Sequence, residues 1–186
     1  ASFGERDLRD AMGAALRATT VWGDDPVASS RRGRYTAGEV DGKSMPSYVD
    51  EDGVDPSRET ETLAEATFEV RTARWQGVPF TLRSGKALDP AAKEIVLRFR
   101  PVRHLPAQFT GEIAPTVLRF TFSPDVMSLE ISVHDGKDPF DLKRRKLAAE
   151  LGHGSLRAYA EVLSGILDGD ATLAVRGDAA EQCWRI

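Results

Sequence analysis

Apolar and polar positions recur along this chain with two different periods, and the changes of period mark out its elements. Between residues 3 and 20, Leu8, Met12, Ala15 and Leu16 return at three- and four-residue spacings while Glu5, Arg6, Arg9 and Asp10 take the other side. That pattern predicts an amphipathic helix packed on a sheet. From Thr60 to Thr72 the period falls to two, with Ala64, Ala66, Phe68 and Val70 on one side and Glu61, Glu65, Glu69 and Arg71 on the other. Glu61 to Ala66 also carries helical propensity, but the β-branched and aromatic residues that follow favour a strand. Phe80, Leu82 and Ser84 alternate with Thr81 and Arg83, and Ile95, Leu97, Phe99 and Pro101 alternate with Val96, Arg98, Arg100 and Val102 over Glu94 to His104. Val117 to Phe122 and Met127 to Val133 are two more extended runs, joined in hairpin fashion by Ser123-Pro124-Asp125.

The remaining stretches are read from their punctuation. Trp22 to Arg34 is a loop, Tyr35 begins a short extended piece ending near Val40, and residues 41 to 58 form a charged surface loop. Its carboxylates Asp50, Glu51, Asp52 and Asp55 lack the spacing and the closing glutamate of a calcium-binding helix-loop-helix, so a solvated loop is the better reading. Leu142 to Leu151 is ambiguous: propensity favours a helix, while Leu147, Ala149 and Leu151 alternate. Leu156, Tyr159, Ala160, Leu163, Ile166 and Leu167 return to helical spacing, with Ser155 as N-cap and Gly169 as stop. Asp170 to Arg176 reads as an extended link, and Asp178 as the cap of a final helix holding Ala179, Glu181, Gln182 and Trp184.

These elements make an α+β chain with a large, mainly antiparallel β-sheet and helices packed on one face. The boundaries are an N-terminal helix and loop over 1–34, the sheet over 35–154 and C-terminal helices over 155–186, with no internal repeat and one domain. The 25 basic and 29 acidic residues give a net charge of −4 without a long block of either sign, which argues against nucleic acid or an acidic membrane as partner. Arg31, Arg32 and Arg34, and the run Lys143 to Lys146, each suit either an anion or a solvated face. The one cysteine, Cys183, has no internal disulfide partner and reads as a core or half-buried thiol beside Trp184. With no charged-then-apolar leader and no long apolar run, the expected location is the cytoplasm. His104, His134 and His153 are scattered and form no two-histidine metal motif, so no metal is expected.

The candidate chemistry lies in Trp75 to Leu88, where an aromatic anchor, a Gly-Val-Pro turn, a strand and a lone lysine follow one another. Gly85 permits a tight bend and leaves Lys86 at a strand end. A compact ammonium there suits a phosphate or sugar hydroxyl, although the same spacing also describes a solvated lysine, and no Gly-rich loop ahead of a helix makes it a P-loop.

The wording of this stretch adds to its spacing. Arg74 to Leu88 resembles the "R-W-x-G-V-P-F-x-L-R-x-G-K-x-L" motif of the glucose-6-phosphate dehydrogenase C-terminal domain at every fixed position. Thr60-Glu61-Thr62-Leu63 is similar to that family's "T-E-T-F". Ala158-Tyr159, Gly169-Asp170, Thr172-Leu173, Arg176, Asp178 and Trp184-Arg185-Ile186 stand in register with its C-terminal helices. The resemblance runs from Tyr35 to Ile186.

It implies that Lys86 contacts glucose 6-phosphate, and that the parent enzyme oxidises this sugar to 6-phosphogluconolactone with NADP in the oxidative pentose phosphate pathway. It also implies a homodimer or homotetramer formed through the β-sheet. Within these residues there is neither the glycine-rich dinucleotide fingerprint nor the family's Asp-His-Tyr-x-x-Lys run, so NADP is assigned to an N-terminal domain outside them and the chain alone is expected to be inactive. The family's second basic contact falls on Ala91 and its glutamine before the turn proline on Ser123. Arg83 and Arg176 match two contacts of the structural nucleotide found in some animal members, but Thr121, Ala92 and Val96 replace others, so no structural nucleotide is expected. The alternative is a non-catalytic, stand-alone binding or assembly module derived from the same domain.

Overall fold

The computed structural model describes residues 4–122, 124–134, 136, 138–152 and 158–186. Ala1–Asp89 with Leu156–Ile186 forms one compact unit and Pro90–Ser155 a second. The class is α+β with mainly antiparallel pairing, as the alternation predicts, and the strands are shared among a four-, a five- and a two-stranded sheet.

In the first unit, helix α1 (Glu5–Arg17) opens with the Asp7 carboxylate accepting the Gly4 N–H at 3.0 Å. It stops short of the expected residue 20 because Thr19-Thr20-Val21 are β-branched and form strand β1. The central strand of this sheet is β5 (Leu63–Val70). One of its edges takes β1 beside Phe68 to Val70 and β2 (Ser30–Gly33) beside Leu63 to Ala66; the other edge takes β6 (Pro79–Gly85). Strand β2 lies in the stretch expected to be a loop. Its Ser-Arg-Arg-Gly sequence has no apolar alternation, and it is held by edge pairing, with Arg31 opposite Glu65 at 3.7 Å. Two short strands, β3 (Gly38–Val40) and β4 (Lys43–Met45), form a hairpin whose connection Asp41-Gly42 has φ of 49° and 73°. Positive φ at both loop residues is the requirement of a type I′ turn.

Helix α2 (Ala158–Asp168) ends where expected. Gly169, at φ 73°, lets its own N–H reach the Ile166 carbonyl at 3.3 Å and the Asp170 N–H reach the Gly165 carbonyl at 2.8 Å. Those two bonds constitute a Schellman motif. The proposed N-cap Ser155 is outside the described residues. The following link is a turn and not an extended segment, because the Asp170 carboxylate accepts from both the N–H and the hydroxyl of Thr172.

Helix α3 (Gly177–Arg185) begins one residue before Asp178, which therefore sits in the first turn instead of capping it. Ala179 is buried, whereas Cys183 is exposed, correcting the reading of a core thiol. The apolar neighbour that suggested burial, Trp184, is itself 92% exposed.

Helices α1 and α3 are fastened by arginines. The Arg185 guanidinium donates to the carbonyls of Leu16, Arg17 and Thr19 at 2.9, 3.4 and 3.1 Å, satisfying acceptors that the end of α1 leaves open. Arg176 bridges Asp10 on α1 at 2.5 Å and Asp178 on α3 at 2.6 Å. The Arg176 hydrogen bonds hold the Asp178 carboxyl below its ordinary range. A folded-state value lower than the unfolded one gives stability that is present above the unfolded pKa and lost as pH falls through the folded one. Thermal melting across a pH series should therefore show Asp178→Asn losing less stability than the parent protein below about pH 4. Identical acid slopes would show that this carboxylate does not contribute.

The second unit contains β7 (Glu94–Arg98), β8 (Thr110–Gly111), β9 (Val117–Phe122), β10 (Asp125–His134) and β11 (Asp141–Glu150), in the spatial order β7-β9-β10-β11-β8. Strand β7 is shorter than the Glu94 to His104 alternation predicts. Beyond it only the Phe99 N–H continues the ladder, to Thr116, before Pro101 interrupts. The ambiguous Leu142 to Leu151 resolves as strand β11, in register with β10 from Val126↔Glu150 to His134↔Leu142. Cross-strand pairing has overridden local helical propensity there. Two apolar rows cross four strands on one face: Ile95-Phe120-Met127-Ala149 and Leu97-Leu118-Leu129-Leu147. Ile95, Leu97 and Leu147 in these rows remain exposed. The opposite face carries charge, including the Arg119–Glu94 pair and Arg144 near Glu130 at 3.6 Å.

Candidate functional site

Lys86 is positioned by a chain of local constraints that starts at Trp75. The Trp75 carbonyl accepts the Val78 N–H at 3.0 Å, closing a turn with Gly77 at φ 73°. An L side chain is disfavoured at such an angle, which accounts for the glycine. Pro79 then opens β6, where its missing N–H costs least. The Trp75 and Phe80 rings meet edge to face with centroids 5.5 Å apart, tying the turn to the strand. Along β6 the register on β5 is Phe80↔Phe68, Leu82↔Ala66 and Ser84↔Ala64 on one face, and Thr81↔Thr67 and Arg83↔Glu65 on the other. The two threonine hydroxyls lie 2.9 Å apart, and Arg83 Nε donates to Glu65 Oε2 at 2.6 Å. Arg83 is thus occupied by a cross-strand carboxylate.

At the end of β6, Gly85 has a role different from the expected bend. Its φ is not positive; the left-handed residue is Ala87, at φ 51°. Gly85 is needed for close approach, since a Cβ there would lie 3.0 Å from Leu63 Cδ1, 3.2 Å from the Thr62 carbonyl and 3.3 Å from Leu88 Cδ1. The Lys86 N–H donates to that Thr62 carbonyl at 2.8 Å. Thr62 also gives its own N–H to the Gly33 carbonyl at 2.8 Å and accepts the Tyr35 N–H on Oγ1 at 3.0 Å. Tyr35 is fixed in turn. Its ring meets Tyr48 edge to face at 5.6 Å, its carbonyl accepts the Tyr48 N–H, and its hydroxyl donates to Glu51, which pushes the phenol up to about 12. The Lys86 side chain is exposed, and among the described residues its ammonium has no ion-pair partner. A fixed backbone carrying an uncommitted cation is an arrangement able to receive an anionic group.

The remaining expected contacts are not collected around Lys86 in this unit. Ala91, at the family's second basic position, belongs to the second unit, and Ser123 is outside the described residues. Arg176 binds Asp10 and Asp178. Thr62 and Tyr35, which support Lys86 most directly, were not singled out by spacing; the "T-E-T" run containing Thr62 is the available signal.

Compared with known proteins, the whole chain, residues 1–186, matches the family model described as glucose-6-phosphate dehydrogenase, C-terminal domain. The chain belongs to that family. A glucose-6-phosphate 1-dehydrogenase of Zymomonas mobilis is 34% identical over 189 residues, covering 95% of this chain and 38% of the relative. The enzyme of Aggregatibacter actinomycetemcomitans is 34% identical over 158 residues, covering 82% of this chain and 32% of the relative. A solved glucose-6-phosphate dehydrogenase in complex with its substrate glucose 6-phosphate superposes with a TM-score of 0.78 at 26% identity, over 99% of this chain and 38% of that one. The Mycobacterium avium glucose-6-phosphate 1-dehydrogenase gives 0.75 at 29% identity, over 98% and 37%. The chain therefore spans about a third of the length of these glucose-6-phosphate dehydrogenases. Its backbone does not fit a dinucleotide cradle: pairing is antiparallel apart from the two-residue β8–β11 bridge, and no parallel strand-helix-strand crossover occurs among the described residues.

Proposed function

We propose that this chain is the substrate-binding and oligomerisation domain of a glucose-6-phosphate 1-dehydrogenase, acting as one functional domain over its 186 residues. The parent enzyme oxidises glucose 6-phosphate to 6-phosphogluconolactone with NADP in the cytoplasm. Lys86 contacts the sugar phosphate, while NADP and the proton-abstracting base are held by parts of the protein outside these residues. The observation that carries the reading is Lys86 itself, an exposed, uncommitted ammonium on an immobilised strand end inside an intact family motif.

Exposed apolar side chains support the status of a domain that covers itself against others. Tyr159 and Leu167 on α2 are each 87% exposed, and Ile95 and Leu147 on the second sheet are 54% and 56% exposed. Surfaces of this kind mark association sites, in keeping with a homodimer or homotetramer through the sheet. Among the described residues no helix is long and apolar enough to cross a membrane.

The test is NADP reduction by the full-length protein supplied with glucose 6-phosphate. Turnover is the expected result, and its absence sinks the enzyme reading. Ala91, in place of the family's second basic contact, favours the alternative of a non-catalytic assembly module. That reading predicts no turnover together with intact association, measured by light scattering of the same protein.

A further inference from the structure

We propose that Thr62 is the positioning residue of Lys86; this rests on the reading of Lys86 as the sugar-phosphate contact. Three chain segments converge on this half-buried threonine. Its carbonyl accepts the Lys86 N–H at 2.8 Å, its N–H donates to Gly33 at the end of β2 at 2.8 Å, and its hydroxyl oxygen accepts the Tyr35 N–H at 3.0 Å. The last bond ties Lys86, through one residue, to the Tyr35–Tyr48–Glu51 cluster.

Two features of the backbone point the same way. Gly85 leaves no room between β6 and the Thr62 carbonyl, with 3.2 Å to an added Cβ, so the acceptor of the Lys86 N–H is fixed from the strand side. Ala87, immediately after the lysine, is held at φ 51°. A left-handed alanine is strained and persists only where surrounding contacts over-determine it. The contacts available to do so are the Lys86–Thr62 bond and the packing of Leu88 and Leu63 about Gly85. An ammonium on a flexible four-carbon stem keeps its aim only if its Cα does not drift. Thr62 supplies that restraint without touching the substrate.

The hydroxyl is the part that can be removed without changing shape. Thr62→Val keeps the volume and leaves the Tyr35 N–H without its acceptor; Thr62→Ser keeps the acceptor and drops a methyl. In the full-length enzyme, Thr62→Val is expected to raise KM for glucose 6-phosphate about fivefold, while kcat and the KM for NADP stay within about twofold. Thr62→Ser is expected to restore the sugar KM. Lys86→Ala is measured alongside, with the melting temperature of every variant, and Thr62→Ala serves if the valine variant does not accumulate. A raised sugar KM in Lys86→Ala with an unchanged one in Thr62→Val overturns the positioning role and leaves the lysine reading intact. An unchanged KM in Lys86→Ala overturns both. An equal rise of both KM values with a fall in kcat, or no rescue by serine, shows that Thr62 serves folding alone and also overturns the proposal.

Discussion

Lys86→Ala in the full-length enzyme is expected to raise KM for glucose 6-phosphate about 30-fold, the consequence of losing one charge-assisted contact of about 2 kcal/mol. Lys86 is exposed and has no carboxylate partner among the described residues, so its removal leaves no buried charge orphaned and breaks no ion pair. Its backbone bond to Thr62 is made by the main chain and survives the substitution. The effect should therefore fall on ligand affinity while the melting temperature stays unchanged. Lys86→Arg keeps the charge but replaces a compact ammonium by a planar fork, and recovery should be partial. A steady-state KM for the sugar that is unaltered in Lys86→Ala would reduce this residue to a solvated surface lysine.

The neighbouring arginine makes a useful contrast. Arg83 stands three residues earlier, within β6, and its guanidinium is taken up by Glu65, which also lies 3.7 Å from Arg31. Opposite charges placed directly across a strand pair stabilise the sheet by a few tenths of a kcal/mol. Arg83 is thus engaged in strand pairing, while Lys86, past the last pair of the ladder, remains available. The strand supplies a structural cation, and the residue just past its end a free one, separated by where the register ends.

How much of this was legible in the sequence depended on whether the responsible signal was local. Strands β5 and β6 followed directly from two-residue alternation, because each has side chains of different polarity on its two faces, and β9 and β10 followed from their extended apolar runs. Strand β2 carries Ser-Arg-Arg-Gly and owes its conformation to the edge of β5, a partner 30 to 36 residues away in the chain. Strand β11 has a basic run, Lys143 to Lys146, in which no alternation of polarity is available, and only its pairing with β10 decides it. The β3–β4 hairpin had a legible mark in Asp41-Gly42, a dipeptide suited to positive φ, that a reading based on apolar alternation passes over. The site divides in the same way. Lys86 stands out by motif and spacing, whereas Thr62 acquires its role only when Gly33, Tyr35 and Lys86 are brought together by the register of β2 and β6 on β5.

The short strand β8 leads to the other large expected effect, because its pairing with β11 depends on Gly111. At φ 86°, an added Cβ would stand 2.3 Å from the Leu142 carbonyl oxygen, 2.4 Å from Asp141 Oδ1 and 3.0 Å from the Leu142 nitrogen. Two of those three atoms are backbone and cannot swing away, so Gly111→Ala must displace the segment itself. That segment is sewn along β11 by Thr110 N–H to the Phe140 carbonyl at 2.9 Å and by Glu112 N–H to the Leu142 carbonyl at 2.8 Å. The Arg144 N–H returns a bond to Glu112 Oε2 at 3.0 Å, and the Phe109 and Phe140 rings meet at 5.5 Å. Left-handed strain of about 1 kcal/mol, added to one or two lost backbone bonds, gives an expected destabilisation of about 3 kcal/mol. Gly42→Ala separates the two contributions: its φ is 73° with nothing within 4 Å of an added Cβ, so it should cost only the strain. Amide hydrogen exchange in the full-length protein reads the difference directly. In Gly111→Ala the Glu112 amide should exchange about 100-fold faster, the local equivalent of that loss. In Gly42→Ala, Glu112 should be unaffected. Equal protection of Glu112 in the two variants would mean that β8 accommodates a side chain, and that its pairing with β11 does not depend on the missing Cβ.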